Sequence, residues 1–451
     1  MLESMRTCFD MKILHYSFGL PPYSSGGLPL YVKDLAYSQK RNGHEVNILI
    51  PKLCFTKHNR IVKRNGIIYL ESCLPVSSVF GMRNPSDYIQ KFDRSLIRNF
   101  FDQLKPDIFH IHSFMGLPKE FLEIAKESKI KIVYTTHDYY GICLKCNLID
   151  SSNNFCDEFN VKKCAKCNQI NGLNKQVAYL INNDFYKKIK NNAFIYMFKS
   201  KYRSNNVGKG KQINFDNVIC TEKKIGEYEK LLNYYYDMFH MIDIFHFNSE
   251  ISQEIYKRFI PDIVGKVAPI TLEHIKDNRS ANHKDSHQKI VIGFIGRKEP
   301  YKGLNILLHS LKKLVGNYVC YLYGDNFSEY ENEYVINKGI YSSSELSNIF
   351  HTIDVLVVPS ICKETFGFVA LEAASYGVPV LMSKNVGSQC IFENKNDIVF
   401  DANVASLVEI LQKFINESGD KFYPKVNKNI FNIDYHSESI IRLYSTKGDV
   451  L

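Results

Sequence analysis

Glu364 and Glu372 stand eight positions apart in SICKETFGFVALEAASYG, residues 360–377. A carboxylate can accept two hydroxyl hydrogen bonds, and charge-assisted bonds are the stronger kind, so two acids facing one crevice suit a ligand rich in hydroxyls. Spacing alone decides little, because acids recur at such intervals by chance and most are solvated. Arg297 and Lys302 in GRKEPYKG add cations that can neutralise a diphosphate, and Gly303 frees the backbone at the helix start that follows. The same residues also read as an ordinary basic loop. His137 ends the apolar run 131–136, where an imidazole is either a satisfied interior group or one that faces a cleft. Cys143, Cys146, Cys156, Cys164 and Cys167 give C-x2-C, nine residues, C, seven residues, C-x2-C. Two such knuckles close together have the spacing of a tetrahedral zinc thiolate site, with an iron–sulfur cluster as the alternative. Five thiols for four positions leave one spare; the two-knuckle reading drops Cys156.

Strands and helices must hold these groups in place. Residues 353–358 are short and β-branched, and Phe368, Leu371 and Ala374 recur at helical spacing up to Gly377, so the acids sit on strand, loop and helix. Glu364 then lies on the loop and Glu372 about a turn and a half into the helix, at the carboxyl end of the strand, where open α/β sheets bind ligands. A helix start at Thr365, Phe366 and Gly367 would aim unpaired N–H groups at the same spot. Residues 289–296 read as the buried strand before Arg297, and 304–314 as the helix after Gly303. Near the N-terminus, strand 12–17, a turn-rich loop ending in Gly26-Gly27, a helix and strand 45–50 form a βαβ unit. Residues 54–80 read as irregular with some strand character, and 86–104 as an amphipathic helix. The strand after Pro106 carries His110 and His112 on one side, the first read as structural and the second as site-lining.

The 451 residues exceed one ordinary core. The expected organisation is a first domain over 1–275 with a Cys-rich insertion at 143–167, a polar linker at 276–288, a second domain over 289–432, and residues 433–451 returning to the first. No apolar run reaches the ~18 residues of a membrane span, and the opening MLESMRTCFD has no apolar signal core. Both point to a cytoplasmic protein, where thiols bind metal or stay buried more often than they pair. The net charge of +10 calls for an anionic partner without choosing one. Much of it lies in 185–211, which has eight basic residues, no acidic one and interleaved aromatics. That mixture suits an anionic membrane surface, the plainer reading being a solvated basic face.

E-x7-E with Thr-Phe-Gly after its first acid, on a strand, loop and helix late in an α/β chain, resembles the retaining glycosyltransferases of family 4, which have the GT-B fold of two Rossmann-like domains facing a cleft. GGLPLYVKDLA resembles the family's Gly-Gly-x-x-x-Tyr/His-Val pattern, and GRKEPYKG its G-R-x4-K-G signature. The resemblance implies that Glu364 contacts donor-sugar hydroxyls, that Glu372 holds the ribose, that Arg297 and Lys302 bind the pyrophosphate, and that Gly26 and Gly27 border the diphosphate and acceptor. It places His137 beside the transferred sugar, bonding a hydroxyl or orienting the acceptor, as either imidazole tautomer could. Bacterial surface-polysaccharide members carry a similar cysteine run, which makes Cys143, Cys156, Cys164 and Cys167 the zinc ligands and Cys146 the extra thiol. YGDN, at 323–326, lacks the second glycine of the family's base-binding loop.

The function implied is transfer of a sugar, with retention, from a UDP- or GDP-sugar to a glycan or lipid-linked acceptor in cell-surface polysaccharide synthesis. No catalytic divalent metal and no nucleic acid are expected. Two other readings stand beside it: a nucleotide-sugar epimerase of the same fold, and a non-enzymatic zinc-dependent RNA- or protein-binding protein.

Overall fold

Short β-branched runs alternating with helices build two sheets. The computed structural model describes residues 10–24, 26–52, 59–71, 73–183, 218–279, 289–417 and 419–446. One unit comprises Met1–His246, Tyr256–Lys266 and Ser437–Leu451, and the other Phe247–Ile255 and Val267–His436.

In the first unit, strands β1 (Lys12–Tyr16), β2 (Glu45–Lys52), β3 (Arg60–Arg64), β4 (Ile67–Glu71), β5 (Ile108–Ile111), β6 (Lys131–Thr135), β7 (Ile244–Phe247) and β8 (Gly265–Val267) form an 8-stranded sheet in the order β3-β4-β2-β1-β5-β6-β7-β8. The pairs β1–β2, β1–β5, β2–β4, β5–β6 and β6–β7 are parallel, and β3 runs antiparallel to β4. β5, β6 and β7 are buried along almost their whole length, as inner strands of a parallel sheet are. Helices α1 (Gly27–Arg41), α2 (Arg94–Leu104), α3 (Val161–Asn171) and α4 (Glu222–His240) belong to this unit.

The β3–β4 hairpin falls in the segment whose sequence is irregular with some strand character, and it resolves that character into two paired strands. Its turn is Asn65-Gly66, with φ of 50° and 79°, the two left-handed residues that a tight hairpin needs. The expected helix 86–104 is also shorter than the sequence suggests. Pro85–Tyr88 makes one 3-10 turn, and α2 begins at Arg94 because the Asp93 carboxylate caps it, accepting from Ser95 N at 2.9 Å.

Helix α5 (Glu250–Phe259) leads to the second sheet, made of β9 (Ile290–Ile295), β10 (Tyr318–Tyr323), β11 (Val335–Gly339), β12 (Val355–Val358), β13 (Val380–Ser383) and β14 (Val399–Phe400). All of its pairs are parallel, in the order β11-β10-β9-β12-β13-β14. Numbered within the unit this is 3-2-1-4-5-6, the Rossmann order, with the switch point between β9 and β12. Helix α6 (Leu304–Leu311) follows β9 and α7 (Phe368–Ser375) follows β12. α6 ends three residues short of the expected 304–314. The second unit also takes in residues upstream of the expected linker: Ser249 Oγ donates to Thr365 O at 2.5 Å and Asn278 N to Ser375 O at 2.7 Å. Of the linker, 280–288 lie outside the described residues. Helix α8 (Ile433–Ser445) ends the described chain; its Tyr444 hydroxyl meets His110 Nδ1 at 2.7 Å, and Lys131 Nζ donates to Tyr444 O.

Candidate active site

In the second unit the loops after β9 and β12 leave neighbouring strands on either side of the switch point, so topology alone brings the two motifs together. After β9, Pro300–Lys302 form a 3-10 turn and Gly303, at φ 77°, caps α6. A Cβ at Gly303 would stand 1.8 Å from Pro359 O, so the helix start packs against the β12 loop in a way only glycine permits. Lys302 Nζ lies 2.9 Å from Glu364 Oε1, and Ser360 Oγ donates to the same carboxylate oxygen. Burial alone would raise the Glu364 pKa, but the Lys302 ammonium and the Ser360 hydroxyl outweigh it and hold the carboxyl below its ordinary range. Burial likewise acts to lower Lys302, and Glu364 overcomes it, so the ammonium is held charged. Lys302 keeps 31% of its side chain in solvent against 11% for Glu364, which leaves the cation a face for a ligand. Arg297 is exposed and forms no ion pair among the described residues.

The loop is fixed by its own backbone. Glu364 N donates to Asn385 O at 2.8 Å, Gly387 N to Glu364 O at 3.1 Å, and Ser388 N to Phe366 O at 2.7 Å. Thr365 is held through its carbonyl by Ser249. Gly367, at φ 92°, caps α7, and a Cβ there would meet Val386 Cγ1 at 2.9 Å. Glu372 is the fifth residue of α7 and has different company, with Oε1 3.1 Å from His274 Nε2. The Tyr341 phenol is raised by burial and by Glu372. The two acids therefore serve two neighbourhoods, one with Lys302 and one with His274 and Tyr341. Ser360, His274 and Tyr341 carry no motif of their own, and the sequence did not single them out.

In the first unit Gly26, at φ 121°, caps α1, and Gly27 is its first residue. His137 follows β6, half-buried, with Nε2 3.1 Å from His112 Nδ1 and the Tyr31 ring 4.8 Å away. Behind it lie His15, His110, His112 and His246, all fully buried. His110, read as structural, bonds Tyr444 and Thr135, and His112, read as site-lining, sits one imidazole behind His137. Beside His137, burial pushes the Asp138 carboxyl from 3.8 up to about 6, against one backbone bond from Tyr140 N. A carboxyl raised in the folded state contributes stability that is complete below its unfolded pKa and is lost as pH rises through about 6. Asp138→Asn is accordingly expected to gain about 1–2.5 kcal/mol at pH 7, a shift of two units being worth at most roughly 2.7 kcal/mol, and to flatten the decline between pH 4 and 6. Urea melts at the two ends of that range check it.

Cys143, Cys156, Cys164 and Cys167 form one neighbourhood. The Cys164 thiol is raised by burial and then by Cys143, Cys156 and Cys167, and Cys156 is pushed up to about 11 by burial and, in part, by Cys143 and Cys167. Donors point at these sulfurs. Backbone N–H groups of Lys145, Leu148 and Asn147 face Cys143, Ser151 Oγ donates to Cys167 Sγ at 3.3 Å, and Lys163 reaches Cys156. Such bonds favour thiolate, the form that binds metal. Cys146, at φ 68°, is raised by burial, Asp138 and Cys143, and stands apart from the other three. The sulfurs have not closed to coordination distance. Among the described residues, the set of ligand atoms within 4.8 Å of one another is that of His15, His110 and His112. The basic stretch 185–211 lies outside the described residues, and no described helix is long and apolar enough to cross a membrane.

Comparison with known proteins accords with this geometry. Residues 275–432 match the family Glycosyl transferases group 1, and residues 25–154 match Glycosyltransferase Family 4. Each half of the chain thus carries a match to a glycosyltransferase family model, and the two Rossmann-like units have the GT-B fold. An α,α-trehalose-phosphate synthase (UDP-forming) from Burkholderia xenovorans superposes with a TM-score of 0.56 at 10% identity, covering 96% of this chain and 99% of the other, and shares the fold. Two proteins of Klebsiella pneumoniae described as uncharacterized and in the cps region are similar in sequence. The 42.6 kDa protein is 24% identical over 449 residues, 94% of this chain and 96% of its own length. The 41.2 kDa protein is 38% identical over 122 residues, 26% of this chain and 33% of its own length. The chain thus spans about a third of the latter relative.

Proposed function

We propose that the protein is a glycosyltransferase that moves a sugar from a UDP- or GDP-sugar to a glycan or lipid-linked acceptor, with retention of configuration, in cell-surface polysaccharide synthesis. The observation that carries the reading is the Lys302–Glu364 pair at 2.9 Å beside the α6 start, at the switch point of a Rossmann sheet. In it a charged, partly exposed ammonium and the N–H groups of a helix start face the place where a diphosphate departs, and a pinned carboxylate stands ready for sugar hydroxyls. Arg297 adds its charge to the diphosphate, Glu372 holds the ribose, and His137 bonds a sugar hydroxyl. Gly26, Gly27, Gly303 and the Thr365-Phe366-Gly367 turn bring backbone close to the ligand. Retention needs no carboxylate nucleophile if the leaving diphosphate itself takes the acceptor proton. The cps-region relatives support a surface polysaccharide as product, and the UDP-forming neighbour supports the donor class. The cytoplasm is the place assigned, with 185–211 as the segment that would meet an anionic membrane.

A thermal-shift screen of nucleotide sugars, followed by mass analysis of products, tests this. A UDP- or GDP-sugar should raise the melting temperature, RNA should not, and Glu372→Ala should weaken the effect about 10- to 150-fold in ligand concentration, the worth of one charged hydrogen bond. Stabilisation by RNA alone would favour the binding-protein reading, and isomerised donor without transfer the epimerase.

The cysteine neighbourhood fits one structural zinc ion, held by Cys143, Cys156, Cys164 and Cys167 as thiolates that draw together around it. About one zinc per chain is expected by elemental analysis. Cys164→Ser and Cys167→Ser should lose it and melt early, while Cys146→Ser should keep both metal and melting temperature. Metal-free protein with unaltered melting would remove zinc from the account.

A further inference from the structure

We infer that Gln39, buried on α1, fixes the tautomer of His137 through His15 and His112, so that His137 carries its proton on Nε2 and its lone pair on Nδ1. The inference rests on the proposed role of His137 at the sugar and chooses between tautomers that the sequence leaves open. Gln39 is a positioning residue in this account, three imidazoles behind any ligand.

The chain of contacts starts at an atom whose role is fixed. Gln39 Oε1 lies 2.7 Å from His15 Nε2, and an amide oxygen only accepts, so His15 Nε2 holds a proton. A neutral imidazole has one N–H, which makes His15 Nδ1 a lone pair. His112 Nε2, 3.0 Å from it, must donate. His112 Nδ1 is then the acceptor of the next bond, and His137 Nε2, at 3.1 Å, is its donor. The other half of the amide begins a second arm. Gln39 Nε2 donates to Tyr444 Oη at 3.2 Å, the phenol O–H donates to His110 Nδ1 at 2.7 Å, His110 Nε2 donates to Thr135 Oγ1 at 2.7 Å, and the Thr135 hydroxyl faces His246 Nδ1 at 2.9 Å. Turning the amide over would require every bond on both arms to reverse together.

Neutrality is secured by burial. Gln39, His15, His110, His112 and Thr135 have no solvent exposure, and a cationic imidazole there would set donor against donor. Desolvation takes His15 down to about 4 and His112 well below its ordinary value. The network reaches the surface at His137, which is half-buried. A metal ion on His15, His110 and His112 would find each of their ring nitrogens already in a hydrogen bond.

The test is nitrogen NMR of the full chain labelled with 15N-histidine, recording two-bond proton–nitrogen correlations at pH 7, with the His137 signals assigned from the spectrum of His137→Gln. The expected pattern is Nε2 protonated and Nδ1 bare at His137. A proton on Nδ1 in the unmutated chain overturns the inference, and this readout needs neither turnover nor a donor. Gln39→Met should leave His137 in a mixture of tautomers. It should also lower kcat about tenfold with donor KM within about twofold, the signature of lost orientation. An unchanged His137 spectrum in Gln39→Met would likewise overturn it. If no nucleotide sugar is turned over, the proposed function falls while the tautomer result stands.

Discussion

Replacing Lys302 with methionine is expected to lower kcat about 10²- to 10³-fold, the usual effect of deleting one preorganised group that stabilises developing charge, and to destabilise the second unit by about 1–3 kcal/mol. Removing one partner of a wholly buried pair costs roughly 3–5 kcal/mol because the other charge is stranded, and the figure is scaled down because Lys302 keeps 31% of its side chain in solvent. The signs of the two pKa shifts define the window. Glu364, held below its ordinary 4.5, contributes stability that is present above that value and lost as pH falls through the folded pKa. Lys302, held above its ordinary 10.5, contributes stability that is complete below that value and lost as pH rises through the folded pKa. The loss in Lys302→Met should therefore be constant from about pH 5 to 10 and shrink outside that range. With the ammonium gone, burial dominates and the Glu364 carboxyl moves above its ordinary range. The double variant Lys302→Met/Glu364→Gln separates the two roles, since it leaves no stranded charge. Recovered stability without recovered turnover is the expected result; recovered turnover would make the cation purely structural.

The pair shows where sequence reading stops. The strand, loop and helix around Glu364 were legible because a β-branched run, a helical period and Gly377 are local signals, and the basic loop was legible for the same reason. That Lys302 meets Glu364 follows only from β9 and β12 being neighbours, a fact of sheet order set by contacts far apart in the chain. His274 on Glu372 and Ser360 on Glu364 are ordinary residues until the backbone places them. The buried histidines are an extreme case. His15 and His112 are 97 residues apart, and Gln39 and Tyr444 are 405 apart. The register that lays His15 against His110 has no signature in either strand. Two other features do have local signals. Asn65-Gly66 between two β-branched runs is a hairpin signal, and Asp93 two positions before Ser95 is a cap that outcompetes a helix begun at Pro85. The start of α7 moved by a smaller step, from the Thr365–Gly367 turn to Phe368, because Gly367 at φ 92° cannot be helical.

Gly303→Ala is expected to be the most damaging small substitution in the second unit. The residue sits at φ 77°, where an L side chain costs roughly 1–2 kcal/mol, and its new Cβ would stand 1.8 Å from Pro359 O and 2.7 Å from Pro359 C. Backbone cannot step aside as a flexible side chain can, so either the α6 start or the end of the β12 loop must move by more than an ångström. Either movement pulls Lys302 away from Glu364, since one is next to Gly303 and the other follows Pro359 by five residues. Strain and the weakened pair together should cost about 3–5 kcal/mol, a fall in melting temperature of about 6–20 °C for a unit of this size. Gly226→Ala is the matched control. It lies inside α4, has nothing within 4 Å of its Cβ position, and should gain about 0.5–1 kcal/mol from helix propensity. The discriminating measurement is calorimetry of both variants with and without a UDP-sugar. Gly303→Ala should lose the ligand-induced rise as well as the baseline stability, and Gly226→Ala should keep it. Wild-type melting and ligand response in Gly303→Ala would mean that the helix start does not pack against the Pro359 carbonyl, and the phosphate-facing geometry built on it would have to be abandoned.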